Sequence, residues 1–217
     1  TEEGDQFSRL YSSEMIELIE SLNLPRYGLI NYYDESKATG ITKQEQLIID
    51  NLSKAGKRMM GFCKSTFFKR IDSSGFSFLL TVYRHILRNA VFIYAIDNKL
   101  PLPIGDENNL PEEFLEDEDT NETFFENEDN NDAVCERGQE IIFPTDMKVY
   151  MAKAKEYYDI ISHKNNLSWI NHKYFKRTLK QQLNKDCATL IEMLKLCGNW
   201  NADNDQKLIE LHDLLEQ

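Results

Sequence analysis

The sequence predicts an all-α protein, an irregular bundle of about six helices carrying one long acidic loop. Three observations lead there. Glycine and proline are scarce, 9 and 5 in 217 residues, which argues against a turn-rich sandwich or barrel. Apolar residues recur at helical spacing along most of the chain. No stretch reads as a strand, so a one-domain bundle follows.

The elements can be justified in order. Ser8–Ser21 is amphipathic, with Leu10, Met15, Ile16, Leu18, Ile19 and Leu22 as its apolar residues, and Pro25 ends it. Residues 24–40 form a connection that Tyr27, Tyr32 and Tyr33 would pin to the core. Thr42 and Glu45 make a capping box for a helix through about Met60 that buries Leu47, Ile48 and Leu52. Ser65 or Thr66 would cap a short helix over Phe67–Ile71, and Ser73 or Ser74 the next, from Gly75 to about Asn98. That helix is two-faced in its first half: Leu79, Val82, Tyr83, Ile86, Leu87 and Ala90 oppose Ser77, Thr81, Arg84, His85 and Arg88. From Ala90 to Ile96 it is apolar all round and belongs in the core, until Pro101 and Pro103 stop it.

Thr145 would cap a helix to about Ser162 with the stripe Met147, Tyr150, Ala154, Tyr157 and Ile161, the seam of a helix packed lengthwise on another. A second long helix runs from about His172 to Cys197 on Leu179, Leu183, Cys187, Leu190, Leu194 and Cys197, with Gly198 as its C-cap. Asn204 or Asp205 opens a last helix over Leu208, Leu211, Leu214 and Leu215. The organisation is then 1–40, helix and connection; 41–105, helical core; 106–140, acidic loop; and 141–217, C-terminal helices.

The net charge of −12 comes from one place. Between Asp106 and Asp132 lie 13 carboxylates and no Lys or Arg; the rest of the chain carries +1. Like charge at that density predicts a disordered loop. The functional alternative is a mimic of nucleic-acid charge, or a docking strip for a basic partner in a stand-alone interaction module. The order of acids does not fit an EF-hand loop and lacks its central glycine. Two other stretches are basic. Lys54–Arg88 holds eight cations against Asp72, and Lys164–Lys185 six against none. Interleaved aromatics, among them Phe67, Phe68, Tyr83, Trp169 and Tyr174, would suit contact with a phosphate backbone and bases. They equally suit solvated helix faces above an aromatic core.

Catalytic patterns are missing. There is no G-x-x-x-x-G-K-[ST] loop, and the lookalike Gly61-Phe62-Cys63-Lys64-Ser65-Thr66 has the wrong spacing and no preceding strand. Asp34-Glu35-Ser36 faintly resembles an acidic Mg²⁺ box, but no apolar strand delivers it, so a turn is expected. His85, His163, His172 and His212 have no metal-ligand partner at suitable spacing, and no serine sits on a nucleophile elbow. The four cysteines, Cys63, Cys135, Cys187 and Cys197, lack C-x-x-C spacing and read as reduced thiols of a cytoplasmic protein. No run is apolar enough to span a membrane, and the acidic N-terminus without an initiator Met predicts a piece of a longer chain.

One segment is distinctive. Met60-Gly61-Phe62-Cys63-Lys64-Ser65-Thr66-Phe67-Phe68-Lys69-Arg70-Ile71-Asp72-Ser73-Ser74-Gly75-Phe76-Ser77-Phe78-Leu79, followed by Arg84-His85-Ile86-Leu87-Arg88-Asn89, resembles a stretch of bacterial Swi/Snf-like superfamily-two helicases. There a K-R-L-E-S-S type motif lies in the helical region joining two RecA-like motor lobes; here Ile71 and Asp72 replace Leu and Glu. Trp200 through Asp205-Gln206-Lys207-Leu208-Ile209-Glu210-Leu211 looks like the D-x-K-L helix opening the second lobe. The resemblance implies a connector between lobes, with ATP and Mg²⁺ bound by the parent motor and no cofactor here. It implies DNA and the flanking lobes as partners. Lys64, Lys69, Arg70, Ser73, Ser74, Arg84, His85 and Arg88 would then face DNA phosphates, the Ser73/Ser74 helix start adding backbone N–H groups. The plainer possibility is that the serines only cap a helix and Arg70 pairs with Asp72 or a bundle carboxylate.

Overall fold

The computed structural model describes residues 9–104, 140–163 and 167–201. Helix α1 is Ser13–Ser21. The Ser12 hydroxyl caps it by accepting from the Met15 N–H at 3.2 Å, and Leu10, Met15 and Ile19 are buried. The connection then winds through 3-10 turns at Leu29–Tyr32 and Glu35–Lys37. Backbone bonds fix it to the segment ahead of the last described helix: the Asp34 N–H donates to the Tyr174 carbonyl at 2.9 Å, and the Lys176 N–H to that of Tyr32 at 2.8 Å.

The capping box at Thr42 and Glu45 is present in full and opens helix α2, Lys43–Ser73. This is one helix of 31 residues where the sequence reading has a break near 60–66. Ser65 and Thr66 do not cap; their hydroxyls donate back to the Gly61 and Phe62 carbonyls. Satisfied in that way, they let the helix continue. The expected burial of Leu47 also fails. It is 49% exposed, because the buried face passes through Ile48 and Ile49 instead.

Ser74 turns the chain. Its N–H closes α2 on the Arg70 carbonyl, and its hydroxyl accepts from the Ser77 N–H at the start of helix α3, Gly75–Asp97. The apolar face read from the sequence is buried apart from the half-buried Tyr83, and so are Val91, Phe92, Ile93 and Ala95. Helix α3 is the axis of the fold, packed on α2 and on both later helices, and the described residues share one core.

Strands occur where none is expected. β1, Pro101–Ile104, pairs antiparallel with β3, Ser168–Asn171; β2, Glu140–Ile141, pairs with β4, Trp200–Asn201. Pro101 and Pro103 mask β1 from sequence reading. They stand at alternate positions, so the donors they lack lie along one edge, while Leu102 and Ile104 turn into the core.

Helix α4, Met147–Ser162, is capped by Asp146, one residue after the expected Thr145. Its buried seam is Tyr150, Ala154, Tyr158 and Ile161, with Met147 and Tyr157 half-buried beside it. Helix α5, Thr178–Cys197, begins six residues after the expected start at His172, because His172–Tyr174 is a 3-10 turn. Every residue of its expected stripe is buried, and Gly198 (φ +70°) closes it by donating to the Leu194 carbonyl. The acidic stretch and the expected helix over Leu208–Leu215 lie outside the described residues.

Candidate nucleic-acid interface

The residues singled out from the sequence lie on the last turns of α2 and the first half of α3, and the structure gives them different tasks. Lys69 is exposed, with its ammonium 5.6 Å from the centre of the Phe62 ring. Arg70, Arg84 and Arg88 are half-buried. Lys64 donates to the Glu20 carbonyl in the last turn of α1, where a cation suits the negative helix end. Asp72, a possible partner of Arg70, accepts the Tyr11 hydroxyl at 2.7 Å. Ser74 is occupied as a cap, and the side chain of Ser73 lies outside the described ones.

The first turn of α3 is covered as well. The indole of Trp200 stands on Gly75 so closely that a Cβ there would meet ring atoms at 2.0 and 2.4 Å. The cap and the indole together occupy the helix start that the sequence reading offers to phosphates.

His85 is the clearest departure from the expected surface set. It is only 7% exposed, with its ring 4.8 Å from that of Phe67 and 5.9 Å from that of Tyr27. A phosphate backbone cannot reach it without displacing those neighbours. The polar face it belongs to is half-buried at Ser77, Thr81, Arg84 and Arg88, but at His85 itself Arg26, from the connection after α1, comes down on it. The Arg26 Nε donates to Asn89 Oδ1 at 2.8 Å, and Nη2 lies 3.3 Å from His85 Nδ1. Burial, then the charges of Arg26 and Arg88, hold His85 well below its ordinary pKa. A neutral ring is what lets Nδ1 accept from a guanidinium.

Asp186 completes this polar layer from α5. It is 1% exposed; Oδ1 accepts from the Asn23 backbone and side-chain nitrogens, and Oδ2 from the Leu24 N–H at 2.7 Å. Arg26, Asn89 and Asp186 are absent from the sequence-derived set. Spacing carried the signal for two of them. Asn89 is four residues from His85, and Asp186 falls between Leu183 and Leu190 on the buried stripe of α5.

The remaining catalytic lookalikes resolve as structure. Gly61–Thr66 is mid-helix in α2, not a phosphate loop. Asp34 sits beside a 3-10 turn, accepting from the Ser36 hydroxyl at 2.6 Å and pairing with Lys37 at 3.1 Å; those bonds lower its pKa. Among the described residues no three His, Cys, Asp or Glu side chains are placed to hold a metal, and no helix is long and apolar enough to cross a membrane. Cys63, Cys187 and Cys197 are buried without disulfides. Burial pushes the thiols of Cys187 and Cys197 up to about 12, which leaves them unreactive.

No protein-family model matches the chain, and no curated protein or solved structure is a match either.

Proposed function

We propose that this chain is the helical connector of an ATP-dependent DNA helicase or translocase. It has no ATPase site of its own; it joins two RecA-like lobes and offers Lys69 and the neighbouring arginines to DNA phosphates. The observation that supports this reading is a contact. The two stretches that resemble the helicase region are far apart in sequence, and Trp200 at the head of the second rests on Gly75 within the first. A connector would need such a joint, so that displacement of the segment following Trp200 acts on the α2–α3 corner. Helix α2 supplies stiffness: 31 residues make a rod about 46 Å long.

The test is fluorescence anisotropy of the chain with a labelled DNA duplex over a salt series. Binding is expected to be weak, and its affinity should fall as salt rises, because the counterions released on binding gain less entropy in a more concentrated bulk. Lys69→Glu should weaken it several-fold and reduce the salt slope by about one. Binding that is absent at low salt, or indifferent to Lys69→Glu, counts against direct phosphate contact.

The second reading rests on the 13 carboxylates between Asp106 and Asp132. As an interaction module, the chain would capture a basic polypeptide such as polylysine. Deleting 106–132 should then abolish capture while leaving the helical circular dichroism of the rest intact. Capture that survives the deletion removes this reading.

A further inference from the structure

We propose that Arg26, His85 and Asn89 form an acid-sensitive latch that holds the 22–38 connection against α3, closed while His85 is neutral and opened when it takes a proton. The latch stands on geometry. Arg26 carries polar contacts from the connection to α3, and its partners there, Asn89 and His85, lie one turn apart on that helix. Arg26 also lies 5.0 Å over the ring of Tyr27, which itself flanks His85, so the cation and the ring enter together.

The surroundings offer a new charge on His85 little relief. From the connection it faces Arg26, a cation, and Tyr27. Its own helix adds the cation Arg88 and neutral Asn89. Helix α2 packs the apolar ring of Phe67 on it. Helix α5 contributes Cys187, whose thiol is hydrogen-bonded to Asn89 and protonated, and Asp186, whose carboxylate is committed to Asn23 and Leu24. An imidazolium here meets two cations in a buried site, loses its acceptor Nδ1, and repels the guanidinium that closes the latch. The connection is poised to leave, because Leu24 is held at φ +49°, a left-handed conformation that a leucine adopts only under constraint.

The sign is fixed by the lowered pKa of buried His85. An opened histidine titrates near 6.5 and the closed one lower, so closure is fully favoured above about pH 6.5 and weakens as pH falls below it. Between pH 7.5 and 5.5 the open population should rise about tenfold. Hydrogen exchange of the intact chain, corrected for intrinsic rates, should show that rise in peptides covering 22–38 but not in α5. His85→Asn, which keeps a neutral acceptor near Nδ1, should abolish it. Arg26→Met should reduce it while leaving His85 in place. An equal loss of protection across 22–38 and α5 would overturn the latch, as would a pH response that persists in His85→Asn or is unchanged in Arg26→Met.

Discussion

Gly75→Ala is expected to destabilise the protein by about 3 kcal/mol, the upper end of what an over-packed core costs. The helix itself argues the other way. Alanine in place of a helical glycine is ordinarily favourable by up to about 1 kcal/mol, and nothing in the backbone at Gly75 forbids a side chain. The obstacle is the Trp200 indole, three of whose atoms lie within 3 Å of the new methyl position. That ring cannot retreat easily. It is 1% exposed, and its backbone is paired across to Ile141. Gly61→Ala is the matched control, since a Cβ there meets nothing within 4 Å, and it should raise the urea midpoint. Trp200→Leu should be damaging alone yet less than additive with Gly75→Ala, because a smaller side chain vacates the methyl's space. A Gly75→Ala midpoint at or above wild type would mean that the indole does not stand where this contact puts it.

What made the bundle legible in advance was periodicity joined to local capping chemistry. The α5 stripe, the Thr42–Glu45 box and the Gly198 terminus each have a short-range physical cause, and each is present in the fold. The errors share a different origin. Ser65 and Thr66 satisfy a cap pattern as well as a helix interior, and only the continuous packing of α2 decides between them. β1 was hidden by its prolines, since pairing with β3 depends on residues some 65 positions away that no local pattern specifies.

The candidate site divides in the same way. Basic residues were visible as composition, but composition is silent on which of them the core claims. Lys64 has its amine on an α1 carbonyl, and His85 is sealed under Arg26 and Phe67, although both sit at polar positions of their helices. Lys69, one turn from the α2 terminus, is left exposed, which is why it carries the DNA test. The buried polar layer was only half legible. Asp186 stands on an apolar stripe and so asks for partners, but those partners are the backbone of a loop more than 160 residues earlier in the chain.

Removing that carboxylate should have the largest effect of any polar substitution in the core. Asp186→Ala is expected to cost about 3 kcal/mol, since two backbone N–H groups lose their acceptor, the buried one of Leu24 at about 2 kcal/mol and the half-buried one of Asn23 at about 1 kcal/mol. Water cannot readily replace it at a site 1% exposed. Asp186→Asn should fall between, at about 2 kcal/mol, because its amide keeps one acceptor oxygen while its NH₂ group faces a donor. Asn23→Ala removes only a side-chain donor and leaves both backbone bonds, so it should cost less than about 1 kcal/mol. Urea unfolding at pH 7 ranks the three, and exchange of the Leu24 amide reports the local event. Without the carboxylate, Leu24 has no reason to remain at positive φ, and its protection should collapse before that of α5. Equal stability of Asp186→Ala and Asn23→Ala would show that the two backbone bonds contribute nothing. The attachment of the connection would then rest on Arg26 and on the pairing of Tyr32 and Asp34 with Lys176 and Tyr174.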